Sequence, residues 1–60
     1  MKEELYQLLL ENPNWSNYAR SLRLKYTKLT IDNIEYNLNR DFPNDRDLGQ
    51  FVQKYALSKD

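Results

Sequence analysis

The sequence predicts an all-α fold, a single compact domain of four short helices over residues 1–60. Two observations carry this. Apolar residues recur at helical spacing in four successive segments. The breaks between those segments hold capping residues and the prolines Pro13 and Pro43, and none is long enough to separate domains.

The first segment is KEELYQLLLE. Leu5, Leu8 and Leu9 share a face, and Glu3 and Glu4 sit in the first turn, where the helix dipole favours negative charge. Tyr6 and Leu10 lie four apart on another face, which is expected to pack on a neighbouring segment or on a second copy of the chain. NPNW ends this helix and begins the next, with Asn12 or Asn14 as cap and Pro13 suited to the first helical position.

Trp15, Tyr18, Ala19, Leu22 and Tyr26 then form one stripe. Leu24 points away from it, so the second helix is expected to stop near Arg23 and turn. A strand is the rival reading there, because Leu22, Leu24 and Tyr26 alternate with charged residues.

In TIDNIEYNLNRDF, Ile31, Ile34, Leu38 and Phe42 fall on one helical stripe. Asn33, Tyr36, Asn37 and Arg40 fall on the opposite side. Thr27 or Thr30 is the candidate cap of this third helix, and Pro43 disfavours helical backbone in the residue before it. Asn44 or Asp45 caps the fourth helix. Its stripe is Leu48, Phe51, Val52, Tyr55 and Ala56, and Gly49 inside it marks either a close helix crossing or no special feature. The expected core is Leu5, Leu8, Leu9, Trp15, Ala19, Leu22, Ile31, Ile34, Leu38, Leu48, Phe51, Val52 and Tyr55.

Composition limits the chemistry. With 60 residues, stability is marginal, and neither cysteine nor histidine is present to supply a disulfide or a zinc site. The longest apolar run, Leu8 to Leu10, is too short for a membrane span. A cytoplasmic protein is expected. Ser16, Ser21 and Ser58 lack a histidine partner, and no glycine-rich phosphate loop is present. Asp41, Asp45 and Asp47 cluster, but without the glycine and late glutamate of a calcium loop. The expectation is therefore no enzyme, no metal and no cofactor.

Formal net charge is +0, yet Arg20, Arg23, Lys25 and Lys28 fall together in a stretch without acids. Tyr18, Ala19, Leu22, Leu24, Ile31 and Ile34, within YARSLRLKYTKLTIDNIEYNLNR, resemble a helix-turn-helix unit over residues 18–40. The resemblance implies that Ala19 permits close helix crossing and Leu24 plugs the corner, with Arg23 standing where the motif usually has glycine. It also implies a DNA-binding regulatory protein whose helix around residues 31–41 enters the major groove. Asn33, Tyr36, Asn37 and Arg40 would then read base edges, and Arg20, Arg23, Lys25 and Lys28 would contact phosphates. Double-stranded DNA would be the partner, met by a homodimer. The alternative is a helical protein-interaction module or inhibitor, since Trp15, Tyr18, Tyr26, Tyr36 and Tyr55 are residue types that dominate interfaces.

Overall fold

A computed structural model describes residues 2–58. Its elements are α1 (Lys2–Glu11), α2 (Trp15–Lys25), β1 (Lys28–Ile31), β2 (Ile34–Asn37) and α3 (Asp45–Leu57). The chain is mostly helical, but the all-α expectation is overturned. Three helices and an antiparallel hairpin replace four helices, and the segment expected to be the third helix is the hairpin.

The reason lies at Asp32 and Asn33. Their φ values are +54° and +64°, the left-handed conformation that both central residues of a type I′ turn require. Asx residues tolerate that conformation better than other non-glycine residues. Their turn pairs Ile31 with Ile34, Thr30 with Glu35, Leu29 with Tyr36 and Lys28 with Asn37. The i, i+3 spacing of Ile31 and Ile34 is thus the two ends of a turn and not one turn of helix.

The sheet has two unlike faces. Leu29 and Ile31 are buried, whereas Lys28 and Thr30 are exposed. Tyr36 lies opposite Leu29 and packs edge-on against Phe51 at 5.2 Å and tilted against Phe42 at 5.6 Å. On the outer face, Lys28 Nζ lies 3.7 Å from Glu35 Oε1.

The helices form where the apolar spacing places them. Asn14 caps α2 by accepting from Ser16 N–H at 2.9 Å, so Pro13 precedes the helix instead of opening it. Asn44 caps α3 in the same way through Arg46 N–H. The expected stop near Arg23 is also corrected. α2 runs through Lys25, and Leu24 is 89% exposed, so it plugs no corner.

The core gathers Leu5, Leu9, Tyr18, Ala19, Leu22, Leu29, Leu38, Leu48, Val52 and Ala56. Leu8, Phe51 and Tyr55 pack against it while partly exposed. Trp15 and Ile34, both expected inside, are exposed. At Gly49, a Cβ would lie 2.5 Å from the carbonyl oxygen of Trp15, which places the α2 start directly against α3.

Tyr18, on the expected stripe but not expected in the core, is fully buried and donates its hydroxyl to the Leu5 carbonyl at 2.9 Å. Burial, with a smaller push from Tyr26, raises its phenol to about 12. An unfolded tyrosine titrates near ~10, so the native state retains the proton over the interval between. The associated stability is intact below the unfolded value and is lost as pH rises through the folded one. Alkaline titration followed by circular dichroism and tyrosinate absorbance should therefore show a loss of roughly 3 kcal/mol across that interval. Tyr18→Phe should flatten this loss, and an unchanged alkaline limb would contradict the assignment.

Candidate functional site

The four candidate base readers do not share a helix face. Asn33 occupies the hairpin turn, and Tyr36 is half-buried in the cluster with Phe42 and Phe51. Asn37 organises the turn after β2. Its Oδ1 accepts N–H groups from Asn39 at 3.0 Å and Arg40 at 2.8 Å. Its own N–H donates to Asp41 Oδ2 at 2.8 Å, and Asp41 N–H returns to the Asn37 carbonyl at 2.9 Å. The Arg40 guanidinium pairs with Asp41 at 3.2 Å. That hydrogen bond, followed by the backbone bond from Asn37, holds the Asp41 carboxyl below its usual value. A recognition helix over residues 31–41 is thereby excluded.

The basic run is dispersed as well. Arg23 turns inward and donates to Asp45 Oδ1 at 2.9 Å, to Asn39 Oδ1 at 3.1 Å, and to the carbonyls of Leu38 and Phe42. It clamps the connection between β2 and α3, so its expected role as a phosphate contact is replaced by a structural one. Lys28 belongs to the outer face of the hairpin beside Glu35. Lys25 reaches over the Tyr26 ring, its Nζ lying 5.9 Å from the centroid. Arg20 is exposed on α2.

The pair expected to form a contact, Tyr6 and Leu10, is found on the outside of α1, 41% and 58% exposed. Leu5 and Leu9 bury the other side of that helix. Glu3 and Gln7, both exposed, complete an i, i+3, i+4, i+7 set with Tyr6 and Leu10. The result is an apolar strip with an acidic border on a helix whose inner face is fixed by the core. Tyr26 strengthens that fixation by donating its hydroxyl to Glu4 Oε2 at 2.9 Å.

Sequence periodicity located this strip, but it missed the hairpin edge. The overlooked signal was the adjacent Asp32 and Asn33 between two β-branched residues, with Leu29 and Tyr36 continuing a period of two on either side. Among the described residues, no helix is long and apolar enough to cross a membrane. Comparison of the chain with family models, with curated proteins and with solved structures finds no match.

Proposed function

We propose that the chain is a small protein-binding module, presenting the outer face of α1 to a partner protein. The exposed Tyr6 and Leu10, held side by side on a helix whose other face is locked into the core, carry this reading. A helix of this kind docks by placing its apolar strip in a groove. The acidic border of Glu3 and the nearby Glu11 favours a groove with a basic rim. DNA reading has less support, because the side chains it requires serve the hairpin, the following turn and the Arg23 clamp.

Two measurements test the proposal. Immobilised protein should retain a discrete partner from a cell extract, and Tyr6→Lys with Leu10→Lys should abolish retention. Leu24→Lys, an exposed site on a different helix, should leave retention intact. In parallel, random duplex DNA is titrated across a salt series. Tight binding that weakens steeply with salt would point to phosphate neutralisation and overturn the protein-binding reading.

A further inference from the structure

The hairpin offers a second, independent surface. Its two-residue turn makes Ile31 and Ile34 a hydrogen-bonded pair, and pairs of that type alternate along an antiparallel ladder. The bond from Leu38 N–H to the Thr27 carbonyl, at 3.0 Å, continues the alternation. Leu29 therefore bonds inward to Tyr36, while Lys28 and Thr30 direct their peptide groups away from β2.

The two edges differ in what meets those outward groups. On β2, the side chain and N–H of Asp41 engage both peptide groups of Asn37. On β1, Lys28 and Thr30 are exposed, and among the described residues no hydrogen bond from outside the hairpin reaches their peptide groups. Neither proline nor a bulge interrupts the strand. Such an edge is a template for another strand.

We propose that β1 pairs antiparallel with β1 of a second copy of this chain, about a two-fold axis at Thr30. The four-residue strand is self-complementary in this register. Thr30 meets Thr30 of the second copy and Leu29 meets Ile31 on the apolar face, while Lys28 lies toward the turn residue Asp32, just past the strand end. Threonine pairs are favourable cross-strand neighbours, and the charges of Lys28 and Asp32 are opposite. A formal net charge of +0 leaves no overall repulsion to oppose association. The two hairpins become one four-stranded sheet, with each β2 at an outer edge. Only one short strand of each chain takes part, so the dimer is weak and visible at high protein concentration.

The test is sedimentation equilibrium from low to high micromolar protein. The full chain should approach twice its monomer mass, and a monomer throughout would overturn the proposal. A synthetic chain N-methylated at Thr30 loses only an outward-facing donor, so it should keep the native circular dichroism and remain monomeric. A folded N-methylated chain that still dimerises would overturn the β1 interface. Should that variant fail to fold, mixed isotope-labelled and unlabelled native protein decides the matter. Contacts between Leu29 of one copy and Ile31 of the other support the register, and their absence from a dimer overturns it. Tyr6→Lys with Leu10→Lys should leave the mass doubling unchanged, which separates this interface from the α1 surface.

Discussion

Arg23→Ala is expected to destabilise the domain by about 2–4 kcal/mol, through lost charge-assisted bonds and two carbonyls left without their donor. A chain of this size has a total stability of roughly 3–9 kcal/mol, so much of it would unfold on modest heating. The loss arises because the guanidinium joins α2 to the Leu38 and Phe42 carbonyls, the Asn39 side chain and the Asp45 carboxylate. Arg23→Lys should recover little, since an ammonium has no planar fork with which to reach separate acceptors. Urea denaturation followed by circular dichroism is the check. A change below about 0.5 kcal/mol, ordinary for a surface residue, would refute the clamp.

Gly49→Val is expected to cost about 3 kcal/mol by overpacking the crossing of α2 on α3. Helix propensity alone argues the reverse, because glycine inside a helix is about 0.5–1 kcal/mol worse than alanine and valine falls between the two. The contact wins because the obstacle is backbone. The added Cβ would lie 2.5 Å from Trp15 O and 3.1 Å from Trp15 C. A flexible side chain could swing aside, but these atoms move only with the start of α2. Gly49→Ala separates the two effects: a loss of thermal stability supports the steric argument, whereas a gain would show that α2 yields readily.

Particular residues explain what was legible. α1 and α3 were readable because local periodicity and tertiary burial agree, as with Leu5 and Leu9 or Leu48 and Val52. The hairpin was not, because Ile31, Ile34 and Leu38 satisfy a helical spacing by accident. A two-residue turn separates the first two by three positions, and Leu38 lies just beyond β2. Asn33 and Asn37 misled for a related reason. Asparagine recognises adenine edges, but its side-chain amide and tolerance of positive φ also build turns, and position in the chain cannot separate those uses. Tyr6 and Leu10 were placed off the main stripe and expected to pack on a neighbouring segment or a second copy, and the structure leaves them outside. Arg23 looked like one cation in a basic run because its acceptors lie 15 to 22 residues away.

The packing of α1 against α3 also bears on how the chain is made. These helices, the first and last elements described, lie together, and Lys2 Nζ stands 5.7 Å from the Tyr55 ring centroid. During synthesis, α1 emerges well before the segment that covers its leucines. The β1–β2 hairpin has only a two-residue turn to close and can form in the interval, whereas docking α1 onto α3 closes a long loop. Until then Leu5 and Leu9 lack the cover that α3 gives them, so the nascent chain passes through a stage at which a chaperone or a protease has an apolar helix to grasp.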